Sequence, residues 1–175
     1  MANLCSFELH ARAKVLKEDV LTEMKRKFGV DPERNPQEMF GVLDTHLDEY
    51  KLVGDFYVMQ IWGECKWSVA SSFYEELNKW AEQNGVDIEI YSEENGVGFQ
   101  EHFKWVNGRI VDQRCRDMLE FHVDDIMDDE DGELDYLFEN KLCKEACCTK
   151  DNYQSFADDD GYIRFGGFKE WNFEF

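Results

Sequence analysis

Val97-Gly-Phe-Gln-Glu-His-Phe-Lys-Trp-Val-Asn-Gly-Arg-Ile-Val-Asp-Gln-Arg-Cys115 is the stretch from which the fold of this chain is read. Two runs rich in aromatic and β-branched residues, 97–106 and 109–115, flank Asn107-Gly108. Asn-Gly supplies the two positive-φ positions of a type I′ turn, whose twist matches that of paired strands, so the stretch is a β-hairpin. One strand pair cannot stand alone in water, and further strands and covering helices are required.

The residues before it supply both. Leu4 to Ala13 alternates, with Cys5, Phe7, Leu9 and Ala11 on one side, as a half-buried strand does. Leu16, Val20, Leu21, Met24 and Phe28 recur at helical spacing, and Gly29 stands at a C-cap position. Asn35 as N-cap, Pro36 at the first position and Glu38 at the third predict a second helix with the stripe Met39, Phe40, Val42, Leu43 and Leu47. Asp55 to Trp67 is an aromatic strand in which Gly63 marks a bulge. Ser72 and Glu75 form a capping box for a helix that turns Leu77, Trp80 and Ala81 inward and ends at Gly85. Val86 to Tyr91 alternates again. Helices interleaved among strands in this order predict an α+β domain, an antiparallel sheet packed by helices.

The composition fits one compact chain of 175 residues, 43% hydrophobic and 15% aromatic, which excludes wholesale disorder. The 39 acids against 19 Lys and Arg give a net charge of −20. Such a surface repels phosphate backbones and anionic membranes and attracts basic proteins, so no direct nucleic-acid and no membrane binding is expected. The first residues lack a basic segment followed by an apolar one, and the six cysteines are expected as thiols rather than a disulfide framework. The expected location is cytoplasmic.

The character changes near residue 118. Residues 1–118 carry 14 basic and 22 acidic side chains, and residues 119–175 carry 5 and 17. Met118, Leu119, His122, Val123 and Ile126 keep helical spacing, as do Leu134, Leu137, Phe138 and Leu142. The reading is a domain over 1–117 and an acidic helical extension over 118–175, closed by a strand at Gly161–Phe165 and an aromatic anchor at Trp171–Phe175.

Ile90-Tyr-Ser-Glu-Glu-Asn-Gly-Val-Gly-Phe99 followed by Asn107-Gly108 resembles the YubB ferredoxin-like family of conjugative plasmids and phages. A tyrosine-x-glutamate segment there leads to a glycine-aromatic pair and a strand ending at Asn-Gly. Trp62 and Trp67 before a helix, and the opening Leu4-Cys-Ser-Phe-Glu-Leu9, are similar to the same family. The resemblance covers about residues 1–115 and implies a ferredoxin-like sheet and a mobile-element origin, but no activity. The chain departs from the family where Val69-Ala-Ser-Ser72 replaces a Pro- and Trp-rich stretch.

Several constellations bear on chemistry. Cys143 and Cys147, at i and i+4 on a helix, share a face and with Cys148 suggest a soft-metal site completed by Cys5, Cys115 or His122. The competing reading is buried thiols on an apolar stripe. EF-hand loops are excluded: with Gly132 at the sixth position, Met127 and Phe138 occupy the two end positions where carboxylates are needed. With Gly161 there, the ends are Phe156 and Gly167. His10, His46, His102 and His122 each stand alone without a nucleophile motif, and Gly96-Val-Gly98 lacks the third glycine of a phosphate loop. Catalytic residues and cofactors are therefore not assigned, and an enzyme is the less favoured reading.

Asp124, Asp125, Asp128, Asp129, Glu130, Asp131, Glu133 and Asp135 place eight carboxylates within 12 residues. On a helix rising about 1.5 Å per residue they span roughly 18 Å, a charge density like that of a DNA backbone. Like charges at i, i+4 repel, so a fold that keeps them together has a use for them. The expectation is a non-enzymatic, DNA-mimicking inhibitor from a phage or plasmid. Its partner is a basic, nucleic-acid-binding host defence protein, in anti-restriction or anti-CRISPR action. The alternative is a metal-dependent protein or nuclease using Cys143, Cys147 and Cys148 or the run Asp158-Asp159-Asp160. A third is an oligomeric scaffold built on the many aromatic residues.

Overall fold

The computed structural model describes residues 3–30 and 39–175. The chain runs β1 (Leu4–Lys14), a 3-10 turn (Val15–Lys17), α1 (Glu18–Lys27), β2 (Val42–Val53), β3 (Phe56–Lys66), α2 (Val69–Ser72), α3 (Tyr74–Asn84) and β4 (Asp87–Glu94). It continues through β5 (Phe99–Val106), β6 (Arg109–His122), α4 (Val123–Met127), α5 (Tyr136–Glu139), α6 (Lys141–Ala146), a 3-10 turn (Tyr153–Phe156) and β7 (Tyr162–Gly166). It is an α+β chain whose paired strands are antiparallel. No helix among the described residues is long and apolar enough to cross a membrane. Two compact units divide it, Met1–Cys115 with Glu170–Phe175, and Arg116–Lys169.

In the first unit the strand order is β2-β3-β1-β4-β5, followed by the first half of β6. Alternation decides which side of each strand is buried. Phe7, Leu9 and Ala11 of β1 pair with Gly63, Ile61 and Met59 of β3 and with Ser92, Ile90 and Ile88 of β4. Their apolar side chains join Leu21, Met24, Phe28, Phe73, Leu77 and Ala81 of the helical layer in one core. Phe7, Phe28, Phe40 and Phe73 form its aromatic centre, with Phe7 and Phe73 edge to face at 5.2 Å. Burial of this continuous apolar face is the main force holding the unit together.

The Asn107-Gly108 hairpin forms as expected, with φ of 49° and 76° at its two central residues. Gly108 is also required by packing. A Cβ there would lie 2.2 Å from the Ala81 carbonyl oxygen, because the turn lies directly against α3.

Four local expectations are corrected. The helical stripe at Val42, Leu43 and Leu47 is instead edge strand β2, paired along its length with β3. Its N-cap signals, Asn35, Pro36 and Glu38, lie outside the described residues. Spacing could not separate the two states there, and the hydrogen-bonding edge of the long strand β3 decided in favour of a strand. Gly54, with φ of 59°, closes the β2–β3 hairpin and is the signal for it. The register irregularities lie in β2, at Val42/Asp44 and Leu47/Glu49, and not at Gly63. Gly63 is needed because a Cβ would meet the Asp44 carbonyl at 2.6 Å and the Phe7 ring at 2.8 Å. Ser72 does not cap α3. Ser68 accepts from the Ser71 N–H to cap α2, and α3 follows it directly. Leu16, expected inside, is 96% exposed because the 3-10 turn rotates it away from the stripe.

In the second unit, Arg116 to His122 continues β6, and Met118 to His122 pairs with β7, Phe121 opposite Ile163. The helix expected from Met118 therefore begins only at Val123. Phe121, Ile126, Leu137, Cys143, Cys148, Tyr153 and Ile163 form a separate small core.

Candidate functional site

The acidic stretch begins at a helix N-terminus. The His122 ring accepts the Asp124 N–H at its Nδ1 (3.1 Å), and the Asp125 carboxylate accepts the His122 N–H (3.2 Å), a reciprocal capping box for α4. With Nδ1 accepting, Nε2 carries the proton and donates to the Asp160 carbonyl at 3.0 Å. Beyond Met127 the chain leaves the helix, and Asp128 to Asp135 run through turns to α5. The long acidic helix, and with it the regular spacing of roughly 18 Å expected from helical rise, is thus replaced by one short helix and an irregular loop.

Several of the eight acids hold the loop itself. Asp129 accepts the Glu133 and Leu134 N–H groups at 2.9 and 3.1 Å, which fixes the turn around Gly132. Asp135 pairs with Lys150 at 2.6 Å, and Asp125 caps α4. Asp124, Asp125, Asp128, Glu130, Asp131, Glu133 and Asp135 are exposed, while Asp129 is half-buried. A groove of about 600 Å³ runs through this region, lined by Glu120, Asp125, Asp128, Asp129 and Glu133 and by the apolar Phe121, Leu134 and Leu137. Exposed Tyr136 stands beside it.

The cysteines divide differently from the i, i+4 expectation. Cys143 and Cys148 are buried in the small core, whereas Cys147 is exposed. Cys147 adopts a left-handed backbone (φ 58°) as the C-cap of α6, which turns its side chain outward and brings Cys148 back. Burial, with Cys148 adjacent, pushes the Cys143 thiol up to about 11. Asp158 accepts the Asp160 and Tyr162 N–H groups at 3.1 and 2.9 Å, so the Asp158–Asp160 run is a turn leading into β7. Among the described residues, no group of three or more His, Cys, Asp or Glu side chains is arranged to hold a metal ion.

A second constellation lies in the first unit, and of its parts only the aromatic anchor Trp171–Phe175 is among the sequence expectations. The strand faces pointing away from the helices carry Glu8, His10 and Arg12 on β1, Asp87, Glu89 and Tyr91 on β4, and His102 and Lys104 on β5. Trp171–Phe175 lies across them. The His10 ring stacks on Phe173 with centroids 3.6 Å apart and an interplanar angle of 8°. Both of its nitrogens face oxygens: Nδ1 the Phe175 main-chain oxygen and Nε2 the Glu8 carboxylate, each at 2.8 Å. Tyr91 stacks with Trp171 at 5.8 Å and meets Phe173 edge-on at 5.0 Å. Arg12 stands over the Phe175 ring at 4.6 Å, and its Nε donates to Asp87 at 2.8 Å.

Beneath the segment lies a buried charge network. Glu89 and His102, each 2% exposed, are 2.9 Å apart, and the other His102 nitrogen faces Asp112 at 3.0 Å. Lys104 reaches Glu174 at 2.5 Å, and the Glu174 N–H donates to Glu89 at 2.9 Å. Burial raises the Glu89 pKa, but hydrogen bonds from His102 and the Glu174 N–H, with the charges of Lys104 and His102, outweigh it and hold the carboxyl below its ordinary value. The signal was present in sequence as the polar residues alternating with the core positions of β1, β4 and β5. Its meaning depends on the C-terminal segment returning to that face.

Comparison with family models, with curated proteins and with solved structures finds no match. The geometry therefore carries the functional reading alone.

Proposed function

We propose that the chain is a non-enzymatic binding protein whose acidic groove in the second unit engages a basic, nucleic-acid-binding protein. The observation that carries this is α4 and the loop after it, where seven of eight carboxylates in 124–135 are exposed and three of them, Asp125, Asp128 and Glu133, line a groove together with apolar residues. Among the described residues, a lysine reaches one of them, Asp135. Carboxylates left facing solvent at this density set up a negative potential that steers a cationic surface toward them. Exposed Tyr136 and half-buried Leu134 add the apolar contact that charge alone does not provide.

In this reading the charged loop occupies the groove in which the partner binds DNA, and the protein acts as an inhibitor of a host defence nuclease or repressor on behalf of a phage or plasmid. The order β1-α1-β2-β3-α3-β4, with strands arranged β2-β3-β1-β4, supports a ferredoxin-like core to which β5 and β6 are added. It also supports the resemblance to the YubB ferredoxin-like family. Cysteines held as thiols are in keeping with a reducing, cytoplasmic setting.

The test is capture from host lysate on the immobilised chain, followed by elution with salt or with duplex DNA. A basic nucleic-acid-binding protein released by both is the expected result. The same capture by a D128N/E130Q/D131N/E133Q variant would remove the acidic groove from consideration.

A further inference from the structure

The segment Trp171–Phe175 is not a strand or helix, and its described contacts to the sheet are those by which proteins recognise a separate peptide. Aromatic rings stack on His10 and Tyr91, the Phe175 ring lies under the Arg12 cation, and one acid, Glu174, meets Lys104. Three main-chain hydrogen bonds, to Glu89, His10 and Tyr91, fix its path. The surface beneath is polar and charged. A permanently covered face is held more strongly by apolar packing than by buried ions, because desolvating charges offsets much of their attraction. Buried Glu89 and Lys104 meet the segment through the Glu174 N–H and the Glu174 carboxylate. Phe175 and Arg12 also border an open groove of about 350 Å³ that continues past Val58 and Gln60, so the binding surface is longer than the segment on it.

We propose that this sheet face, through His10, Arg12, Tyr91 and Lys104, is a binding site for peptide segments of the pattern aromatic–acid–aromatic. Trp171–Phe175 is its internal ligand, displaced when a partner protein presents the same chemistry. The basic groups select the acid, the stacked rings select its aromatic neighbours, and the groove beyond Phe175 takes the residues that follow. A segment held within the chain competes at high effective concentration, so an external peptide binds the intact protein weakly.

The probe is a fluorescent peptide with the sequence of residues 169–175, titrated by anisotropy into the full chain. The unaltered protein is expected to bind it at least tenfold more weakly than a W171A/F173A/F175A full-length variant, whose face is vacated. Adding H10A to that variant should weaken binding at least tenfold again. Equal or absent binding by both folded proteins overturns the proposal and makes the segment a fixed part of the fold. If the triple variant loses cooperative unfolding, hydrogen exchange in the unaltered chain decides. A Glu174 amide exchanging at least tenfold faster than the Ile90 amide supports displacement, and equal rates overturn it.

Discussion

His10 and Phe173 lie face to face, 3.6 Å between ring centroids, although they belong to opposite ends of the chain. The contact ties the C-terminal segment to the central strand of the first unit's sheet. Because the Phe173 ring is half-buried and stacked rather than enclosed, F173A should cost about 1–2 kcal/mol, less than a core Phe truncation. Urea denaturation followed through the first unit measures it, and a loss as large as that of F28A would contradict the stacked, half-open geometry.

Glu89 and Glu101 should pull the pH dependence of stability in opposite directions. Burial raises the Glu101 pKa and outweighs the hydrogen bonds from Ala70, Val69 and Ser92. A raised folded-state pKa favours the native state below the unfolded value, here near 4.5, and that stabilisation is lost as pH rises through the folded value. Glu89, held low, stabilises above 4.5 and loses this as pH falls through its folded value. Relative to the unaltered protein, E101Q should therefore gain stability on going from pH 4 to 7, and E89Q should lose it. Thermal unfolding across that range tests both signs.

Cysteine reactivity should follow burial. Cys115 and Cys147 are exposed, while Cys5, Cys65, Cys143 and Cys148 are buried. Cys5 and Cys65 face each other across β1 and β3, and burial pushes Cys143 up to about 11, leaving little thiolate at neutral pH. Iodoacetamide at pH 7.5, read by peptide mass spectrometry, should label Cys115 and Cys147 first by a wide margin. Rapid labelling of Cys143 would refute the packing of the small core.

Gly108 should tolerate no side chain. G108A would place a Cβ 2.2 Å from the Ala81 carbonyl at a backbone φ of 76°, which combines a steric clash with conformational strain of about 1–3 kcal/mol. A loss of at least 2 kcal/mol is expected from both terms together. The measure is the denaturation midpoint, with N107G as the benign comparison at the same turn.

The acidic loop should be kept at a cost to stability. In D128N/E130Q/D131N/E133Q the removal of like-charge repulsion should stabilise the second unit by a few tenths of a kcal/mol per close pair. The gain should fade in 1 M salt, where screening already suppresses the repulsion. A destabilised variant at low salt would mean that these carboxylates hold the loop, as Asp129 does through the Glu133 and Leu134 amides.

Local chemistry alone determined a good part of this architecture. Asn107-Gly108 dictates its turn, alternation in β1 and β4 dictates their buried sides, and Leu77, Trp80, Ala81 and Gly85 dictate α3 and its end. Those signals lie within a few residues of what they specify. Pairing that is distant in sequence decided the rest. Val42–Val53 became a strand because β3 offered it hydrogen-bond partners, and Met118–His122 because β7 did. The eight acids were visible as a charge run, but the turns at Asp129 and Asp158 that shape the loop depend on where backbone N–H groups fall. Least legible was the face under Trp171–Phe175: His10, Glu89, His102 and Lys104 read singly as ordinary strand residues. Only strand register sets them side by side, and the aromatic segment that stacks on His10 returns from far along the chain, so neither relation is encoded by neighbours in sequence.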